Sequence, residues 1–217
     1  FDAFTGTIAA FGTFAVGFFA RPIGGLVFGH FGDKLGRKNM LVTTLMMMGI
    51  ATFLIGVLPT HAQIGVASPV LLVVLRFIQG FGVGGEWGGA VLMAVEHGHK
   101  GRRGFFGSCA QAGVPIGLLL ATGVFTLLNS QLTDAQFLAW GWRVPFLIGI
   151  LLLAVGLYIR LAILESPLFK KLQEKESERP APICEVLTKY PRNVLIAMGA
   201  RFAENASFYI FTVFIYA

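Results

Sequence analysis

The stretch from Asn39 to Leu75, NMLVTTLMMMGIATFLIGVLPTHAQIGVASPVLLVVL, contains no Asp, Glu, Lys or Arg. Gly104 to Thr133 is free of them as well. Each run exceeds the ~20 apolar residues that a helix needs to cross a bilayer. A water-soluble core cannot absorb two such runs. Outward from them the composition agrees: 55% of residues are hydrophobic and only 13% charged, against roughly 25% charged in ordinary soluble domains. The 28 Gly and 21 Phe suit helices that pack closely in lipid, where small residues let backbones approach.

Hydropathy separates six helical spans, near Phe4–Phe31, Met40–Leu58, Val70–Val95, Phe105–Leu128, Val144–Leu164 and Val194–Ala217. The expected fold is therefore an all-α integral membrane bundle. Both ends of the sequence are apolar and there is no initiator Met, which reads as an internal piece of a longer protein. Two cysteines, Cys109 and Cys184, form no pair pattern. His30, His61, His97 and His99 lack metal-ligand spacing, so no metal and no cofactor are expected. No H-E-x-x-H, nucleophile elbow or P-loop is present, which argues against an enzyme.

The loops are of two alternating kinds. Residues 29–39, 96–104 and 165–193 hold all the Lys and Arg except Arg21, Arg76, Arg143, Arg201 and the flanking Arg160. The loops around His61 and around Asp134 hold none. The positive-inside rule makes the basic side cytoplasmic. The net charge of +6 is thus a topology signal, with no nucleic-acid partner needed. Trp140 and Trp142 precede the fifth span, where an aromatic belt would sit. The charged, proline-bearing LQEKESERPAP is the one candidate boundary. It divides an N-terminal bundle (1–164) and a central loop (165–193) from the first helix of a second bundle (194–217).

Some ionisable residues fall inside apolar sequence: Arg21, Arg76, Glu86, Arg201 and Glu204. Each costs ~3 kcal/mol or more at the bilayer centre, so such groups face a bundle interior, a partner or a watery path. The third span, LRFIQGFGVGGEWGGAVLMAVEH, is the richest. Gly80, Gly84 and Gly88 recur every four residues and predict one close-packing stripe. Arg76, Gln79 and Glu86 fall on roughly one other face, with Trp87 beside them. In the last span Arg201 and Glu204 stand three apart and can pair. Asn205, Ser207 and Tyr209 follow as polar groups able to bind a ligand. The competing reading for each charge is a buried pair that only holds helices together; for Arg21, next to Pro22, a structural role is the alternative.

GHFGDKLGRK, Gly29 to Lys38, resembles the G-x-x-x-D-[RK]-x-G-R-[RK] loop of the major facilitator superfamily. It matches at Gly29, Asp33, Lys34, Gly36, Arg37 and Lys38. Gly36 would permit a tight turn, Asp33 would cap a helix N-terminus, and Arg37 would pair with acids at neighbouring helix ends. RFIQGFGVGG resembles the superfamily's fourth-helix motif. FARPIGGLVFGHFGDKLGRK, RFIQGFGVGGEWGGAVLMAVEH, GWRVPFLIG and RFAENASFYIFTVF together look like the metabolite:proton symporter family, whose members carry shikimate, 2-oxoglutarate, citrate, other carboxylates, or proline and betaine.

That resemblance implies helices two to seven of a twelve-helix, rocker-switch transporter in a bacterial inner membrane, acting as a monomer. Its partners would be a small organic solute, a carboxylate anion, and protons. Asp33, Arg37, Glu96, Arg103 and Glu165 would form a charge network that makes and breaks with access state. Arg76, Arg201 and Arg21 would be the partners for an anion, with Glu86 and Glu204 as candidate proton carriers. The readings that compete are an osmolyte symporter of the proline/betaine type, a drug/proton antiporter and a channel. Against the antiporter, AGVPIGLLLATG offers only a partial match to a Gly/Pro-rich fifth-helix motif.

Overall fold

The computed structural model describes residues 3–99, 101–162 and 182–214. Its elements in chain order are α1 (Ala3–Leu35), α2 (Arg37–Val57), α3 (His61–Ile64), α4 (Ala67–His97), α5 (Arg103–Gln131), α6 (Asp134–Ala139), a 3₁₀ turn (Gly141–Arg143), α7 (Val144–Ala162), α8 (Pro182–Lys189) and α9 (Pro191–Phe214). They fall into two compact units, Phe1–Lys175 and Glu176–Ala217.

Helices α1, α2, α4, α5 and α7 are each long and apolar enough to cross a membrane. The sixth expected span is also helical, as α9, over 24 residues. It is not among those five, because Arg192, Arg201, Glu204 and Asn205 dilute its hydropathy. Large apolar side chains stand on the outside of the first unit, with Phe19, Leu119 and Leu151 among them. In water such a surface would aggregate; lipid covers it at no cost.

Gly36 alone separates α1 from α2, at φ 100°. A side chain there would strain the backbone by about 1–3 kcal/mol, so the turn depends on glycine. The side chain of Asp33, expected to cap a helix N-terminus, lies outside the described residues. Asp33 lies within the last turn of α1, and the N-cap position of α2 is Gly36, with no side-chain cap. At the opposite end, two short helices are opened by reciprocal Thr–Gln capping boxes, Thr60 with Gln63 and Thr133 with Gln136. Both follow the sequence rule of a hydroxyl followed three residues later by an amide or acid.

The bundle is built around α4, which packs most extensively on α1 and then on α2, while α2 also packs on α7. The α1–α4 seam is a backbone-to-backbone contact. A Cβ on Gly80 would stand 2.0 Å from the carbonyl oxygen of Gly17, and one on Gly84 would stand 1.9 Å from that of Arg21. Neither has room for a methyl group. The third glycine of the expected stripe does not join: nothing lies within 4 Å of a Cβ on Gly88. There the helices part around a cavity of about 180 Å³, bordered by Gly29, Gly32, Arg37, Met40, Gly88 and Leu92.

Candidate functional site

Two polar systems interrupt the apolar interior of the first unit, and α4 contributes to both. The first centres on Arg76. Its Nη1 donates to Gln79 Oε1 at 2.9 Å, one helical turn on. Gln79 Nε2 donates across to Thr52 Oγ1 of α2 at 2.7 Å, and Thr52 Oγ1 donates to the Met48 carbonyl at 2.7 Å. The guanidinium carbon of Arg76 stands 4.5 Å from the centre of the Phe14 ring of α1, a cation–π contact. Arg76 Nε is buried and has no hydrogen-bond partner among the described residues. The cation is thus held by an amide and an aromatic ring, and no described carboxylate neutralises it.

The second system is closed. Glu86 forms an ion pair with Arg160 of α7, and Arg160 also donates to the Leu41 carbonyl of α2. Lys38 of α2 returns a bond to the Leu161 carbonyl of α7 at 2.8 Å. Cations near the C-terminal carbonyls of α7 also meet the favourable end of its dipole. Ten residues beyond Glu86 on α4, Glu96 pairs with Arg37, joining the start of α2 to the last turn of α4. Through these contacts the starts of α2 and the ends of α4 and α7 lie at one end of the bundle. At the other end Arg143 donates to the Gly56 carbonyl at 3.1 Å and covers the Trp142 ring at 4.8 Å.

These contacts sort the residues singled out by sequence. Arg76 and Gln79 meet directly. Glu86, ten residues and about 15 Å further along α4, does not belong to their cluster; its partner is Arg160, which sequence reading grouped with the loop charges. Glu86 Oε2 is buried without a hydrogen-bond partner among the described residues. Trp87 Nε1 donates to Gln111 Oε1 of α5 at 3.0 Å. Arg21 places its guanidinium 4.1 Å from the Phe18 ring centre, one turn back on its own helix. Gly29 is open, and Lys34 lies in the last turn of α1. Arg103 is exposed at the start of α5 and has no ion pair among the described residues. Glu165 lies outside the described residues.

In the second unit Arg201 Nη1 and Glu204 Oε2 pair at 2.5 Å within α9. Asn205 is exposed, and Tyr209 stacks edge-on against Phe208. Sequence reasoning missed Thr52 and Arg160. A threonine in an apolar span carries no signal of its own, and Arg160 sits so near the end of its span that it looked like a loop charge. No group of three or more His, Cys, Asp or Glu able to hold a metal occurs among the described residues.

Comparison with known proteins gives one family match: the model described as sugar (and other) transporter fits residues 6–192. The shikimate transporter of Escherichia coli K12 is 49% identical over 211 residues, which is 96% of this chain and 48% of that protein. The proline/betaine transporter of the same strain is 41% identical over 212 residues, 94% of this chain and 42% of that protein. The chain thus spans about half the length of the curated relatives it matches. Among solved structures, the partially occluded, inward-open form of the E. coli xylose transporter XylE superposes with a TM-score of 0.68 at 19% identity. That superposition covers 91% of this chain and 49% of the other, and it speaks to the fold alone.

Proposed function

Because the chain belongs to the sugar (and other) transporter family of the major facilitator superfamily, a family of multi-pass membrane transporters and not of enzymes, we propose a secondary active role for the whole protein. It imports a small organic carboxylate with protons by alternating access between two bundles, with the solute near the midplane. The basic end of the first bundle faces the cytoplasm of a bacterial cell, in accord with the positive-inside rule. In this reading residues 1–164 belong to the N-terminal bundle, 165–193 to the loop between bundles and 194–217 to the first helix of the second bundle. The working unit is a monomer.

One observation carries the anion assignment. Arg76 is a cation inside a membrane span whose visible partners are all neutral, and its buried Nε has none. A guanidinium with unused donors is suited to a carboxylate, which it can grip through two parallel hydrogen bonds. Arg201 is a weaker candidate, since Glu204 already engages it. The Arg37–Glu96 pair fits a contact that stabilises one access state, because it joins helix ends that rocking would strain. For the proton carrier, Glu86 is the preferred acid: it lies farther than Glu96 from the end of α4 and has one buried oxygen unbonded. The relatives' names support the solute class. One carries shikimate, a carboxylate, and another carries proline and betaine, zwitterions that also present a carboxylate. An osmolyte symporter is therefore the alternative, using the same arginine.

Uptake in proteoliposomes tests both parts. The full-length protein is given labelled shikimate, 2-oxoglutarate, citrate, proline and betaine, with and without an inward proton gradient. Gradient-driven accumulation of a carboxylic acid that Arg76→Ala strongly reduces is the expected result. Accumulation of betaine or proline alone would overturn the anion preference. Equal uptake with and without the gradient would overturn proton coupling.

A further inference from the structure

The hydrogen bonds leading to Arg76 run in one direction, and that direction is set on a different helix. A threonine hydroxyl has one proton. Thr52 spends it on the Met48 carbonyl of its own helix, at 2.7 Å, so its oxygen is left as an acceptor. Only the amide nitrogen of Gln79 can then face Thr52, at 2.7 Å. That turns the Gln79 carbonyl oxygen toward Arg76 Nη1, at 2.9 Å. With the amide reversed, its NH2 would confront the guanidinium donor to donor. The Thr52 hydroxyl therefore decides which way the amide points, a choice that geometry of the amide alone leaves open.

Packing holds the threonine in that rotamer. Its methyl carbon Cγ2 lies toward α7, 3.6 Å from where a Cβ on Gly149 would stand, while its oxygen faces α4. The arginine is fixed from the other side by Phe14 of α1, 4.5 Å from the guanidinium carbon. Three helices thus converge on one cation, all through neutral groups. A neutral anchor orients the guanidinium and leaves its whole charge available, whereas a carboxylate in the Gln79 position would cancel it.

We propose that Thr52 is a positioning residue for solute recognition: acting through Gln79, it holds the Arg76 guanidinium in the orientation that receives the solute carboxylate, and so sets solute affinity. This rests on the reading of Arg76 given above. Thr52→Val keeps the shape and the methyl contact with α7 but removes the hydroxyl. Thr52→Ser keeps the hydroxyl.

The test uses the full-length transporter in proteoliposomes, with whichever of shikimate, 2-oxoglutarate, citrate, proline and betaine the wild type accumulates; every one carries a carboxylate. Thr52→Val is expected to raise KM and the solute Kd about fivefold to twentyfold, with Vmax within about twofold of wild type. Thr52→Ser is expected to restore both constants. In an Arg76→Lys background, Thr52→Val should add no further loss, because the two changes break one chain. An unchanged KM in Thr52→Val, beside a raised one in Arg76→Lys, would overturn the positioning role and leave the arginine reading standing. A fall in Vmax alone, or a loss that Ser fails to restore, would make Thr52 a packing residue and overturn the proposal. Unchanged affinity in Arg76→Ala, or no uptake of any of the five solutes, would sink the arginine reading and this inference with it.

Discussion

The two halves of α4 make opposite use of the same kind of residue. Toward its start, Arg76 is a charge held by Gln79 and Phe14, and Gly80 and Gly84 press the helix against the backbone of α1. Toward its end, Glu86 and Glu96 are each matched by an arginine from a neighbouring helix, and Gly88 faces open space. An intramembrane charge is costly in either place. Where it is closed by an opposite charge, it ties helices together. Where rigid packing supports it with neutral groups, as at Arg76, the proposed role is solute binding. Hydropathy alone does not tell these apart; the partner does.

Breaking the closed half has the largest expected effect. Arg160→Ala strands Glu86 in the interior and removes the bond to the Leu41 carbonyl. Loss of one partner from a buried pair costs roughly 3–5 kcal/mol; both side chains are about a fifth exposed, so the low end applies. A thermal melt in detergent should drop accordingly, and an unchanged melt would mean the pair contributes nothing. Gly80→Ala attacks the seam of the other half. Its Cβ falls 2.0 Å from a carbonyl oxygen, so α1 and α4 must separate, at about 2–3 kcal/mol. A melt within experimental error of wild type would refute backbone contact there.

Arg76→Ala should have the reverse profile, with the fold kept and solute binding weakened. Removing a charged hydrogen bond is worth about 1.5–3 kcal/mol, which is roughly tenfold to a hundredfold in Kd. Should its melt fall as far as that of Arg160→Ala while Kd holds, the distinction between the two halves collapses. Gln79→Glu converts the open half into a closed one. It should weaken solute binding about tenfold through neutralisation of Arg76, with the melt unchanged or raised; tighter binding would show that the charge of Arg76 is not what the solute meets. The smallest effect belongs to Gly88→Ala, which enters open space and gains helix propensity of up to about 1 kcal/mol. A melt as low as that of Gly80→Ala would mean that the cavity beside Gly88 closes in the membrane.

Much of this was legible along the chain. The charge-free runs dictate membrane-length helices, the basic loops mark one end, and Gly36 stands where a one-residue turn needs positive φ. The motif also placed Arg37 and Glu96 at adjoining helix ends, where they meet. The candidate site was legible only in part. Arg76 stood out because a charge in an apolar span always does, and Gln79 because it lies one turn away. Thr52 and Arg160 did not, for each owes its importance to a helix far away in sequence.

Hydropathy, charge bias and turn chemistry are properties of single segments, so the sequence by itself determined five membrane-length helices and the shared end of the first two basic loops. Which of three evenly spaced glycines touches another backbone, which acid an arginine reaches and which way an amide points depend on how separate segments meet. The tertiary structure decided those, because pairing and close contact are settled by the complementarity of two surfaces, and neither surface carries that information alone.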